Sequence, residues 1–95
     1  MTQTLSILGS TGSIGTQSLD VAEKLGMKIA CLTAHSNDRL LEEQARKYKP
    51  HCVALVDEDA AKRLKTALKD TSIRVLSGMD FLEVRNKTLT FVALE

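Results

Sequence analysis

The sequence carries almost no net charge: 13 Lys and Arg against 12 Asp and Glu give +1. No broad electrostatic field therefore favours nucleic acid or a membrane surface. Any phosphate recognition must be local, built from main-chain amides and a few side chains. Cysteine is scarce as well. Cys31 and Cys52 are the only two, each inside an apolar run, at a spacing that fits no metal motif and makes a poor disulfide framework. Both are expected to be buried strand residues in a reducing compartment. No apolar run approaches the ~20 residues of a membrane span, and Met1-Thr2-Gln3-Thr4 shows neither a basic n-region nor an Arg/Ser-rich presequence. The cytoplasm is the default location. Internal repeats, low-complexity tracts and flexible linkers are also missing.

What remains is an ordinary globular composition, with 95 residues, 43% of them hydrophobic and 26% charged. That is enough for one small domain and leaves no room for a second lobe. Short apolar runs alternate with amphipathic stretches. Leu5-Ser6-Ile7-Leu8 reads as a strand that ends at Gly9. Ile14, Ser18, Val21, Ala22 and Leu25 recur at helical spacing, and Gly26 supplies the stop. Ile29 to Leu32 suits a strand buried on both sides. Ser36 or Asn37 can cap a second helix, with Leu40, Leu41, Gln44, Ala45 and Tyr48 on one face and Pro50 after it.

Cys52 to Val56 is the clearest buried strand. Asp57 has the chemistry of an N-cap for a third helix lined by Ala60, Ala61, Leu64, Ala67 and Leu68, and Ile73 to Leu76 reads as a fourth strand. The order β-α-β-α-β-α-β implies a parallel sheet with right-handed crossovers. The expected fold class is α/β: a Rossmann-type, three-layer arrangement of about four parallel strands with helices on both faces. Residues 1–78 form this half-domain. Residues 79–95 form an atypical tail, in which Asp80 to Val84 suits a helical turn and Thr90, Phe91 and Val92 are strand-like.

Chemistry concentrates at Gly9-Ser10-Thr11-Gly12-Ser13-Ile14-Gly15, which follows a strand and opens a helix. In that context a glycine fingerprint points to a dinucleotide pyrophosphate. Gly9 permits the tight exit from the strand, Gly12 allows close approach of the backbone, and Gly15 lets helix and sheet pack closely. Free N–H groups near Ser13 and Ile14 face the anion at the favourable end of the helix dipole. The hydroxyls of Ser10, Thr11 and Ser13 can add hydrogen bonds.

The end of the second strand selects the nucleotide. NAD sites usually place Asp or Glu there, ~20 residues beyond the glycines, on the ribose 2′-hydroxyl. Here the stretch is Thr33-Ala34-His35-Ser36-Asn37, with no carboxylate before Asp38. Ser36, Asn37 and backbone amides, with His35 or Arg39, suit a 2′-phosphate instead. NADP is favoured. Other polar groups read as structural: His51 has no ligand partner at suitable spacing, Asp57-Glu58-Asp59 starts a helix, and Lys62, Arg63, Lys65 and Lys69 lie on its solvated side. No metal site and no catalytic residue is evident.

The run Ile7 to Gly15, followed by Leu19-Asp20-Val21, resembles the 1-deoxy-D-xylulose 5-phosphate reductoisomerase family. So do Ala34 to Asn37, Leu41, Gln44, Lys49-Pro50 and Val75 to Gly78, which takes the resemblance over about the first eighty residues. It implies an NADPH-dependent oxidoreductase of non-mevalonate isoprenoid biosynthesis, forming 2-C-methyl-D-erythritol 4-phosphate with Mg2+ or Mn2+. The family's NADPH-contacting turn falls on Thr11, Gly12, Ser13 and Ile14, and its second-strand contact on Asn37. His35 and Ser36 depart from the family's usual residues, so a lysine grip on the 2′-phosphate is missing. Phe81 to Lys87 departs from the family's helix-then-strand pattern.

The resemblance also implies that metal ligands, sugar-phosphate site and catalytic domain lie beyond residue 95. The chain is then the N-terminal cofactor portion of a longer enzyme, inactive alone, with a family-type homodimer as a possible assembly. Two alternatives stand beside it. One is a non-catalytic or degenerate NADP-binding module; the other is a different NADP-dependent dehydrogenase with a TGxxG turn. A short-chain dehydrogenase needs Lys four residues after its Tyr, and Tyr48 is followed there by Cys52. A sheet cut from a larger one leaves apolar surface unpaired, so self-association or marginal stability is expected.

Overall fold

A computed structural model describes residues 4–77 and 89–92. The strands are β1 (Thr4–Leu8), β2 (Lys28–Ala34), β3 (Cys52–Leu55), β4 (Arg74–Ser77) and β5 (Leu89–Val92), and the helices are α1 (Ser13–Lys24), α2 (Asp38–Tyr48) and α3 (Glu58–Ala67). All strand pairs are parallel, in the order β4-β3-β2-β1-β5. The α/β reading holds, and β1 to β4 are the four expected strands. The strand-like residues Thr90 to Val92 form a fifth, paired with β1 through Ile7↔Phe91 and Leu8↔Val92. The helical turn suggested for Asp80 to Val84 lies outside the described residues.

The chain steps outward from β1 to β4 and then returns to the other side of β1. Right-handed crossovers in one direction place α1, α2 and α3 on the same face of the sheet. The described residues supply no helix to the second face of the sheet. Against the helical face, Leu5 and Ile7 of β1, Leu32 and Ala34 of β2, and Val53 and Leu55 of β3 meet Leu19, Leu41, Ala45, Ala60 and Leu64 in one core. Strand alternation sends Ser6, Cys31, Thr33, Cys52 and Ala54 to the opposite face, where they too are buried.

The helix ends follow local chemistry. Gly26 adopts a positive φ of 71°. Its N–H donates to the Glu23 carbonyl, and the Met27 N–H reaches back to Ala22, both at 3.0 Å. This glycine-closed C-terminus satisfies carbonyls that the helix leaves open. Asn37 caps α2 by accepting from the Leu40 N–H at 3.2 Å, and Asp57 caps α3 by accepting from the Asp59 N–H at 3.0 Å. Pro50 follows α2, whose C-cap Lys49 takes the left-handed conformation.

One expectation needs correction. Of the face Ile14, Ser18, Val21, Ala22 and Leu25, only Ala22 is buried, together with Gly15 and Leu19, while Ile14, Val21 and Leu25 turn outward. Those three are 51%, 53% and 70% exposed. Both sets have helical periodicity, so spacing by itself does not decide between them. Gly15 does: without a side chain it allows the helix to turn its closest approach toward β1.

Candidate dinucleotide site

The turn after β1 is held by the end of β2. The Thr33 carbonyl accepts from the N–H groups of Gly9 (2.9 Å) and Ser10 (2.8 Å), and the Thr33 hydroxyl accepts from Gly9 at 3.2 Å. Gly9 sits at φ 85°, where an L side chain is strained. Its carbonyl accepts from the Gly12 N–H at 3.4 Å. Leu8 pairs with Thr33 in the sheet, so the turn 9–15 and the loop 35–37 leave the same end of adjacent strands. This end lies beside the point where strand order reverses, between β1 and β5. In open α/β sheets, ligands bind in the crevice outside the carboxyl ends of the strands at that switch point.

Gly15 is fixed by crowding. A β-carbon there would overlap the Gly9 carbonyl oxygen and come within 2.7 Å of the Ser10 Cα. Helix α1 starts from Gly12, which is extended at φ −78° and ψ 173° and offers no side-chain cap. The first backward bond runs from the Thr16 N–H to the Gly12 carbonyl at 2.9 Å. The earlier amides, on Ser13, Ile14 and Gly15, therefore have no intrahelical acceptor. Ser13 and Ile14 are exposed at this opening, and Thr11 and Gly12 are half-buried. Gly15, the third of these amide positions, is buried.

Ser10 takes a different part from the one expected of its hydroxyl. It is fully buried, and its Oγ donates to the Gln44 Oε1 at 2.8 Å. The hydroxyl is thus directed into α2 rather than toward a phosphate. Gln44 belongs to the family resemblance and to the apolar face of α2, but sequence reading assigned it no role in the site. A glutamine on the apolar face of α2, between Leu41 and Ala45, was the available signal.

At the second-strand loop, His35, Ser36 and Asn37 are exposed. The Asn37 carbonyl oxygen serves the cap of α2, which leaves its amide nitrogen as the donor. Asp38, the nearest carboxylate, is turned to α3, where Arg63 grips it with two bonds of 3.2 and 3.3 Å. That guanidinium holds the Asp38 carboxyl below its usual range and compensates its charge. The loop thus lies beside an acid whose charge is paired within the protein. Cys31 and Cys52 are neighbours in the β2–β3 register, free and buried. Their contact, together with burial, drives the Cys31 thiol far above the ordinary range. Among the described residues, no group of three His, Cys, Asp or Glu side chains is placed to hold a metal, and no helix is long and apolar enough to cross a membrane.

A parallel α/β sheet with a glycine turn and an uncapped helix at its switch point defines the class as a dinucleotide-binding type of domain. The family described as 1-deoxy-D-xylulose 5-phosphate reductoisomerase matches residues 5–91, and the chain belongs to that family. The match runs past Gly78, further than the motif resemblance extended. The reductoisomerase of Agathobacter rectalis is 53% identical over 79 residues, covering 82% of this chain and 21% of the relative. That of Acetivibrio thermocellus is 48% identical over 84 residues, covering 88% and 22%. The chain thus spans about a fifth of the length of these relatives.

A solved reductoisomerase from Zymomonas mobilis in complex with NADPH superposes with a TM-score of 0.80 at 31% identity, over 86% of this chain and 22% of that one. Another, with fosmidomycin and magnesium, gives 0.84 at 27% identity, over 95% and 24%.

Proposed function

We propose that this chain is the N-terminal NADPH-binding portion of a 1-deoxy-D-xylulose 5-phosphate reductoisomerase. The observation that carries the reading is the uncapped start of α1 behind the Gly9–Gly15 turn, in a chain whose family includes a structure solved with NADPH. The residues fit that cofactor. Amides of Ser13, Ile14 and Gly15, with the hydroxyls of Thr11 and Ser13, would hold the pyrophosphate. Gly9, Gly12 and Gly15 keep the backbone low enough for that approach, and Ser10 braces it from behind. His35, Ser36 and the Asn37 amide would hold the adenosine 2′-phosphate. NADPH supplies a hydride when bound; this stretch of chain binds and orients it.

On this reading, residues 1–78 together with β5, which pairs with β1, form the binding portion, and the sugar phosphate, the Mg2+ or Mn2+ and any homodimer belong to the complete enzyme. A cytoplasmic setting is part of the proposal, supported by two free, buried thiols. Isothermal titration tests it. The chain should bind NADPH more tightly than NADH and should not oxidise NADPH in the presence of 1-deoxy-D-xylulose 5-phosphate. A preference for NADH would refute the reading of the loop, and binding of neither would refute the nucleotide site.

A further inference from the structure

We infer that Gln44 is a positioning residue for this site, clamping the glycine turn from the middle of α2 and tying it to the 2′-phosphate loop at the head of the same helix. The inference rests on the nucleotide-binding reading above. Gln44 is buried, with 6% exposure. Its Nε2 donates to the Ser10 carbonyl at 2.8 Å while its Oε1 accepts from the Ser10 hydroxyl at 2.8 Å. Such a reciprocal pair fixes both the place and the rotation of one residue, because sliding or turning Ser10 breaks one bond or the other.

Ser10 is held from two further directions. Its N–H donates to the Thr33 carbonyl at 2.8 Å, and its carbonyl also accepts from the Thr16 hydroxyl at 3.4 Å. The residue is thereby anchored to β2, α1 and α2 together. The chain that leaves it, through Thr11 and Gly12, delivers the uncapped amides of α1.

Packing alone does not call for an amide here. An apolar side chain of similar size would fill the space beside Leu41 and Ala45 but would leave the buried Ser10 hydroxyl without its acceptor. What the amide adds is orientation. Helix α2 carries the clamp about two turns from its N-cap Asn37. One rigid element therefore sets the separation between the pyrophosphate turn and the loop His35–Asn37.

The test is titration of the full chain with NADP+ and with NAD+, comparing the wild type with Gln44→Leu, Gln44→Glu and Asn37→Ala. Gln44→Leu should weaken both dinucleotides by the same factor, about tenfold, since the turn is common to both. Asn37→Ala should weaken NADP+ and spare NAD+. Gln44→Glu supplies a readout that bulk does not move, taken at pH values where circular dichroism shows the variant folded. A neutral carboxyl group reproduces the donor–acceptor pattern, whereas a carboxylate presents only acceptors to the Ser10 carbonyl.

Its NADP+ affinity relative to the wild type should therefore rise as pH falls from about 8 to about 5.5. If Gln44→Leu loses its far-ultraviolet circular dichroism, this pH ratio decides alone. Unchanged affinity in a folded Gln44→Leu, or a flat pH ratio in Gln44→Glu, overturns the clamp. A wild-type chain that binds neither dinucleotide is a different failure: it removes the nucleotide reading and the clamp with it.

Discussion

Gly15 and Gly9 stand so close that a methyl group on Gly15 would overlap the carbonyl oxygen of Gly9. The obstacle is backbone, not the end of a flexible side chain, so it cannot move aside without dragging the turn. Gly15→Ala should therefore push α1 away from β1. The expected cost is about 1–3 kcal/mol of stability, with a loss of NADPH affinity because the displaced amides belong to the same helical turn. Urea unfolding and calorimetric titration measure the two effects. An alanine variant with native stability and binding would show that the close approach is not needed.

Nucleotide preference should depend on the absence of an acid between Thr33 and Asn37. Ser36→Asp places a carboxylate where the 2′-phosphate is proposed to sit, without the arginine partner that compensates Asp38. NADPH affinity should fall at least about tenfold, with NADH spared or improved. Parallel titrations with the two cofactors check this, and equal losses for both would count against the loop assignment.

Acid should weaken the link between α2 and α3. Arg63 beside Asp38 and Arg46 beside Asp70 hold both carboxyls below their ordinary values. A carboxyl with a depressed folded-state pKa stabilises above its unfolded value, near 3.9. That contribution disappears as pH falls through the lower folded-state value. Asp38→Asn should consequently flatten the dependence of the urea midpoint on pH below about 4. The effect should be small and sensitive to salt, because these groups are near the surface. An Asp38→Asn variant with the wild-type acid slope would contradict it.

Two leucines, one in α1 and one at its C-cap, should behave oppositely. Leu19 has no exposed surface and Leu25 is 70% exposed. Leu19→Ala opens a cavity in the core and should cost about 2–5 kcal/mol. Leu25→Ala should stay within about 0.5 kcal/mol. Comparable losses at both sites, measured by urea unfolding, would mean that Leu25 is covered in solution.

Much of this architecture is legible in one dimension. The β-α alternation, the glycine turn, the caps at Asn37 and Asp57 and the glycine stop at Gly26 all depend on interactions spanning a few residues. Such interactions leave marks at fixed sequence offsets. The carboxylate-free loop after β2 is legible for the same reason.

Contacts between distant segments leave no such mark. The buried face of α1 was partly misread because Ala22 is in helical register with Ile14, Val21 and Leu25 as well as with Gly15 and Leu19, and crowding at Gly15 selects the second set. The Ser10 hydroxyl was expected to face an anion but meets Gln44, which lies 34 residues away. The place of β5 beside β1, which makes the end of β1 a switch point, is a pairing of strands far apart in the chain. Local sequence therefore specified the turn and its uncapped donors. Tertiary packing decided which way each neighbouring side chain faces, because that depends on which segments are brought together across the sheet.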